Sequence, residues 1–191
     1  MKTAKIALIV LALSVAAYPQ TKDLGMGAFS NESGAILMAV DAALVNQDKD
    51  SPYVMFVAFM ATAGDKALAV AAKDVVMAYK GTEYRMPTVK ELRDAYRGEL
   101  RDLDFYRSLG REGINSSWIR YYEFPEGSGF FPPLTASAPL PASEGHMSGK
   151  FGVVTSLYFK NPGFAKGDKL TIKVRDMKNP ELTGECEVVL K

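Results

Sequence analysis

Cysteine and histidine each occur only once in this chain. The 191 residues contain a single Cys, Cys186, and a single His, His146. A disulfide framework within one chain needs paired cysteines, and a Cys/His zinc site needs several such ligands. Both are therefore excluded by count. A Ser-His-Asp triad would have to use His146, which lies in a Gly- and Ser-containing stretch without a local group to orient its ring.

Sequence motifs that signal catalysis are also missing. No G-x-S-x-G, P-loop or H-E-x-x-H pattern occurs. Cys186 alternates with Val188 and Leu190, which predicts a small buried apolar side chain. A reactive thiol or an intermolecular disulfide is the alternative interpretation of Cys186. The sequence does not indicate an enzyme, and two-carboxylate glycoside hydrolysis is the main catalytic alternative that composition leaves open.

Neither sign of charge is in excess. Lys and Arg total 23 against 22 Asp and Glu, which gives a formal net charge of +1. Proteins that bind nucleic acids through their surface usually carry a basic patch or stripe. We therefore expect no nucleic-acid partner.

Long hydrophobic runs are absent except for one short stretch near the N-terminus. Lys2 and Lys5 precede the uncharged segment 6–17, IALIVLALSVAA. A helix of that length spans roughly 18 Å, which is less than the ~30 Å hydrocarbon core of a membrane. A basic start, a short apolar run and small residues at its end are typical of a secretory signal peptide. We predict a signal peptide over 1–17, with an uncleaved anchor as the alternative.

This prediction has consequences for location. Cleavage would give an exported protein, periplasmic or extracellular, with no membrane insertion after the signal is removed.

The rest of the chain is a series of short apolar segments separated by turn residues. Residues 53–60, YVMFVAFM, form an unbroken apolar run of strand length, and a strand with two apolar faces must be covered on both sides. Residues 169–175 alternate between polar and apolar, which predicts a half-buried strand. A turn near Asn179 would then place Lys173 opposite Glu185 on the last strand.

Other segments are predicted to be strands with less distinctive patterns. The Lys80-Gly81 pair between two alternating segments predicts a hairpin over 75–86. Residues 116–124 and 150–160 are also expected to be strands. The segments 35–45 and 66–79 are open between strand and helix, and strand is preferred for both.

One amphipathic helix is expected, over about 88–109. Thr88 and Glu91 form a capping-box pattern at its start. Its polar face carries equal numbers of acids and bases, as a solvated face does. Its apolar stripe could cover the second face of the 53–60 strand. The stripe consists of Val89, Leu92, Tyr96, Leu100, Leu103 and Tyr106.

These elements together predict a mainly β fold, an antiparallel immunoglobulin-like β-sandwich with one inserted helix. The architecture resembles that of secreted immunoglobulin-like modules, although no motif names a family. We expect a flexible lead-in over 18–34 and a single domain over 35–191. The Pro- and Gly-rich stretch 125–149 is expected to form a long irregular loop.

Two groups of residues are candidate binding sites. An aromatic cluster lies within 118–131, and we take Trp118, Tyr121, Phe130 and Phe131 as candidate contacts to a ligand or partner. Trp118, Tyr122 and Phe124 share a face, and packing in the core is the competing interpretation for these three. The oxygen-bearing residues Asn46, Asp48 and Asp50 could hold Ca²⁺, although the EF-hand pattern is not present. An ordinary solvated turn is the competing interpretation there.

The favoured functional hypothesis is an exported, non-catalytic protein that binds or scaffolds an unknown protein or glycan partner. A first alternative is a carbohydrate-active protein, either binding sugar or hydrolysing it with two carboxylates, near the 118–131 cluster. A second alternative is a subunit of an exported assembly.

Overall fold

The computed structural model describes residues 21–48, 50–96, 114–125 and 144–191. The predicted signal peptide lies outside these ranges, as do the predicted helix beyond Tyr96 and residues 126–143 of the predicted loop. The described part of the protein is mainly β, with 50% of its residues in strands, antiparallel sheets and few helices. Nowhere in the described ranges is a helix long and apolar enough to cross a membrane.

Strands and helices alternate along the described chain. The strands are β1 (Lys22–Gly25), β2 (Ala28–Asn31), β3 (Ile36–Asp41), β4 (Tyr53–Thr62), β5 (Leu68–Ala71), β6 (Val75–Tyr79), β7 (Thr82–Arg85), β8 (Glu144–Met147), β9 (Val153–Lys160), β10 (Lys169–Arg175) and β11 (Thr183–Val189). The helical segments are α1 (Ala43–Gln47), a 3₁₀ turn (Ala72–Asp74), α2 (Val89–Ala95) and a short π-helix (Asn115–Ile119).

The strands form two larger sheets and one small one. The first sheet has the order β1-β2-β3-β4-β9, the second has the order β11-β10-β6-β7, and β5 pairs with β8. All of these pairings are antiparallel. Constant-type immunoglobulin domains instead group their strands as ABED and CFG. The first four strands here are consecutive neighbours in the sheet, so the immunoglobulin-like order expected from the sequence is not confirmed.

The facing sides of the two larger sheets contribute to one apolar core, which we call the inner core. Phe56 of β4, Ile172 of β10 and Cys186 of β11 are each 0% exposed within it. The even-numbered residues of β4, β10 and β11 point inward, as the strand period of two requires. This arrangement is consistent with a β-sandwich.

The opposite side of the first sheet forms a second apolar core, which we call the outer core. Met55 and Phe59 of β4 pack there with Leu92 of α2 and with Trp118 of the π-helix. The capping box predicted at Thr88 is present, with both of its hydrogen bonds made. The start of the predicted helix therefore does cover the second face of the 53–60 strand, as expected.

Several other expectations are confirmed. The hairpin over 75–86 forms, with Lys80 and Gly81 at φ 47° and 81° in its turn. The segment 66–79 contains β5 and β6 rather than a long helix. Lys173 lies directly opposite Glu185 in the β10–β11 register.

Three segments differ from expectation. The strand predicted over 35–45 ends at Asp41, where the Asp41 carboxylate accepts the Ala43 backbone N–H at 2.9 Å and the chain turns into α1. Leu44 consequently packs in the outer core rather than beside Ile36. The predicted loop 125–149 contains β8. The lead-in predicted over 18–34 contains β1 and β2, joined by a turn in which Gly25, Met26 and Gly27 all have positive φ.

The strand predicted over 116–124 is wrong. The backbone N–H groups of Tyr121 and Tyr122 both donate to the Trp118 carbonyl, at 2.9 and 3.0 Å, so the chain turns there instead of extending. The turn directs the Trp118 indole into the outer core, where it is 1% exposed. Burial of this large ring outweighs the β-propensity of the neighbouring aromatic residues.

Candidate functional site

Two exposed aromatic rings lie on neighbouring segments of the chain. Tyr121 is 62% exposed and Phe151 is 45% exposed, and Met26 is the other strongly exposed large apolar side chain of the described part. The Glu123 N–H donates to the Lys150 carbonyl, and the Gly152 N–H donates to the Glu123 carbonyl, each at 2.8 Å. These bonds hold residues 120–123 beside 150–152. We call Arg120, Tyr121, Glu123, Lys150 and Phe151 the aromatic patch.

Each ring of the aromatic patch has a cation beside it. The Arg120 guanidinium lies 5.1 Å from the centroid of the Tyr121 ring and donates a hydrogen bond to its hydroxyl at 3.0 Å. The Lys150 ammonium lies 5.5 Å from the centroid of the Phe151 ring and forms an ion pair with Glu123. Cation–π contacts at exposed sites each contribute about 0.5–1 kcal/mol. The patch therefore presents aromatic surface together with hydrogen-bonding groups.

The aromatic patch is anchored to the outer core through Phe124 and Gly152. The Phe124 ring packs edge-on against Phe59 of β4, with centroids 5.2 Å apart. A Cβ on Gly152 would lie 2.5 Å from the Phe124 ring and 2.6 Å from the Met60 carbonyl oxygen. Only glycine allows this approach, so the backbone beside Phe151 is seated directly on the first sheet.

The sequence located this surface only in part. Tyr121 belongs to the aromatic patch, whereas Trp118 is buried and packs against Tyr122 with ring centroids 5.5 Å apart. The core packing foreseen for Trp118, Tyr122 and Phe124 is observed. Phe130 and Phe131 lie outside the described residues. The contribution of Phe151 was missed, although the glycines at 149 and 152 mark a close turn around it.

The proposed calcium ligands occupy the end of α1 and the turn after it. The Asn46 side-chain oxygen accepts the Lys191 backbone N–H at 2.8 Å, which ties Lys191 to α1. Asp48 is the C-terminal cap residue of α1, and Asp50 follows in the turn. Among the described residues, no cluster of three or more His, Cys, Asp or Glu side chains is placed to hold a metal ion. Calcium binding by Asn46, Asp48 and Asp50 stays a prediction.

The lone thiol is buried in the inner core. Burial raises the pKa of Cys186 to about 12, because the thiolate cannot be hydrated there. The thiol therefore stays protonated at neutral pH, and the predicted burial is confirmed. The alternative of a reactive or intermolecularly bonded Cys186 is wrong for the folded chain.

His146 lies on β8 and is mostly exposed, with its Nε2 atom 3.3 Å from Glu144 Oε2. This contact joins two exposed side chains of the same strand. It gives the imidazole no buried orienting partner of the kind that a catalytic histidine uses.

Several carboxylates are held ionised by hydrogen bonds that organise the fold. Burial would raise the pKa of Asp176, but the backbone N–H groups of Ala69, Asn179 and Lys178 outweigh it and hold the pKa below its ordinary value. The Tyr79 hydroxyl, 2.5 Å from the Asp168 carboxylate, lowers the pKa of Asp168. Bonds of this type favour the charged form, so these groups support turns rather than proton donation.

Comparisons of this chain with protein-family models, with curated proteins and with solved structures gave no match.

Proposed function

We propose that this protein is exported and acts by binding a partner, without catalysis of its own, on an immunoglobulin-like β-sandwich. The observation that carries the proposal is the aromatic patch. Two exposed aromatic rings on adjoining segments, one of them with an Arg side chain beside it, resemble binding surfaces, which are enriched in aromatic residues and Arg. Aromatic and Arg side chains also supply most of the binding energy at known interfaces.

The anchoring of the patch supports the same proposal. A binding surface gains affinity when its side chains are already oriented before the partner arrives. Here each ring has a cation beside it, Arg120 or Lys150, and the backbone next to Phe151 lies close against the first sheet at Gly152. The signal-like segment 1–17 supports export, and the partner would then be met outside the cytoplasm.

Site-specific photo-crosslinking tests the binding proposal. A photoreactive phenylalanine analogue replaces Phe151 in one variant and Met26 in another, in cells that express the chain with its own N-terminal segment. Met26 is the matched control, since it is comparably exposed but lies on the β1–β2 turn. We expect a discrete crosslinked product at 151 that weakens when Tyr121 is also changed to Ala. No product at 151, or equal products at both positions, would refute this site.

Sugar binding at the aromatic patch is the second candidate function. The specific observation in its favour is the pairing of each ring with a group that can hydrogen-bond to hydroxyls, Arg120 on Tyr121 and Lys150 on Phe151. A glycan array probed with the wild type and with Tyr121→Ala separates this candidate from a protein partner. Array signals that disappear in Tyr121→Ala favour sugar, and an array without signals removes it.

A further inference from the structure

The methionines of the described ranges differ sharply in how far their side chains are exposed. Met26 is 61% exposed, and Met177 is intermediate. The others are no more than 5% exposed: Met38, Met55, Met60, Met77, Met86 and Met147. Met26 belongs to neither apolar core, whereas all six buried methionines do. Among the described residues, Met26 therefore carries the thioether that is most accessible to a reagent in water.

The β1–β2 turn that carries Met26 is anchored to α1. The Gly27 carbonyl accepts the Ala42 backbone N–H at 2.9 Å. A Cβ on Gly27 would lie 2.8 Å from the Asn46 side-chain nitrogen, so the turn lies close against the helix. Met26 is flanked by Gly25 and Gly27, and all three residues have positive φ. Neither neighbour has a side chain that could shield the Met26 sulfur, and the turn is held by contacts that do not involve this sulfur.

The groups that would compete for an oxidant are shielded by the fold. Cys186 is 0% exposed, and its thiol stays protonated at neutral pH, whereas the thiolate is the form that reacts with peroxides. The Trp118 indole is 1% exposed. An oxidant that attacks sulfur therefore meets Met26 before it meets the lone thiol or the core methionines.

We propose that Met26 is a site of reversible oxidation in the folded protein, with peroxides as the oxidant. The thioether sulfur attacks one oxygen of hydrogen peroxide, the O–O bond breaks, an S–O bond forms and water leaves. Sulfur loses two electrons, and the peroxide is reduced. A dithiol methionine sulfoxide reductase reverses the step: its two thiols become a disulfide, and the sulfoxide oxygen leaves as water. The site lies apart from the aromatic patch and does not depend on what the patch binds.

The position of Met26 also explains why its oxidation can be reversed. A sulfoxide is polar, and in an apolar core it disrupts packing. At Met26 the added oxygen is hydrated instead, because the side chain is already largely in water. Oxidation therefore changes the polarity of the β1–β2 turn and leaves both cores intact. The sulfoxide stays exposed, which a reductase requires of its substrate.

Peptide mapping by mass spectrometry tests the proposal on the whole expressed chain treated with hydrogen peroxide. We expect sulfoxide to form at Met26 roughly 10-fold or more faster than at any of the six buried methionines, which react only when the fold opens. The chain oxidised at Met26 should keep its Tm within about 2 °C. Methionine sulfoxide reductases with a thiol reductant should then restore the unmodified mass of the Met26 peptide. In denaturant, all the methionines should oxidise at similar rates.

Two matched variants locate the reaction. Met26→Gln removes the exposed thioether and should abolish the fast phase of oxidation, whereas Met177→Gln should leave that phase unchanged. The proposal is overturned if Met26 oxidises no faster than the buried methionines in the folded chain, or if the fast phase survives in Met26→Gln. It is also overturned if oxidation at Met26 alone unfolds the chain, or if the reductases leave the Met26 sulfoxide in place.

Discussion

The two larger sheets differ in how many of their faces are buried. In β4 of the first sheet, every residue from Val54 to Thr62 is buried, whichever way its side chain points. In β10 of the second sheet, only Leu170, Ile172 and Val174 are buried, and the residues between them face solvent at least in part. The first sheet therefore lies between two apolar cores, whereas the second sheet contributes to only one of the two cores formed by the described residues.

This difference follows from the periodicity of the sequence. A strand that alternates polar and apolar residues can leave one face in water, but an unbroken apolar strand cannot. The run YVMFVAFM therefore requires a layer on each side, and the chain supplies the second sheet on one side and α2 with the π-helix on the other. The polar and apolar pattern of one central strand therefore predicts whether one or both faces of its sheet are covered.

Adjacent substitutions in β4 give the largest expected effects. Phe56 faces the inner core and Met55 faces the outer core, and they are 0% and 2% exposed. We expect Phe56→Ala to lower the free energy of unfolding by about 3–5 kcal/mol and Met55→Ala by about 2–5 kcal/mol, since each leaves a cavity. Denaturant titration measures both. A cost below about 1 kcal/mol for Met55→Ala would mean that the outer core contributes little packing.

Alanine substitutions at two adjacent residues of β10 should lower the free energy of unfolding by unequal amounts. Ile172 is fully buried in the inner core, and its neighbour Thr171 lies on the other face of the sheet. Ile172→Ala should lower the free energy of unfolding by about 2–5 kcal/mol. Thr171→Ala should cost about 1 kcal/mol or less, which is the range of intrinsic strand preference. Equal costs at the two positions would contradict the contrast between the sheets.

A smaller effect is expected at a buried carboxylate that links the small sheet to the second one. Asp176 accepts the backbone N–H groups of Ala69, Lys178 and Asn179 at 2.8, 3.1 and 2.8 Å. We expect Asp176→Asn to lower the free energy of unfolding by about 1–3 kcal/mol at pH 7, because the amide cannot accept all three hydrogen bonds. The exposed turn variant Asp65→Asn is the control and should be neutral.

The pH dependence of the Asp176 effect has a definite sign. The folded pKa of Asp176 lies below its ordinary value of 3.8, so its contribution is fully present above pH 3.8. It is lost as the pH falls through the folded pKa. The stability difference between wild type and Asp176→Asn should therefore be constant from pH 7 to about 5 and shrink below about pH 4. A difference that grows in acid would contradict this assignment.

The elements that could be predicted are those specified by local pattern. The run in β4, the alternation in β10 and the capping box at Thr88 each depend on residues close together in the sequence. The strand predicted around Trp118 failed because burial of one indole in the outer core outweighs local preference. The end of β3 was missed because the Asp41 carboxylate accepts the Ala43 backbone N–H two residues on, and this hydrogen bond depends on the direction of the chain at that point.

The candidate sites were harder to predict for the same reason. Tyr121 stood out as one of a cluster of aromatic residues, but its partner Phe151 is distant in sequence and joins it only through backbone bonds between Glu123 and residues 150–152. The bridge between residues 123 and 151 forms only when two segments far apart in sequence meet in the folded chain. No local pattern contains that information.

The smallest expected effect concerns the solvated face of the second sheet. The Lys173 ammonium lies 3.5 Å from the Glu83 carboxylate, and both side chains are substantially exposed, at 42% and 62%. Exposed ion pairs typically contribute about 0–1 kcal/mol, and salt screens them. A double-mutant cycle with Lys173→Gln and Glu83→Gln should give a coupling free energy below about 0.5 kcal/mol that decreases further in 1 M salt. A coupling above about 1 kcal/mol that persists in salt would make this face a rigid charged layer, and the second sheet would then be stabilised on both sides, as the first sheet is.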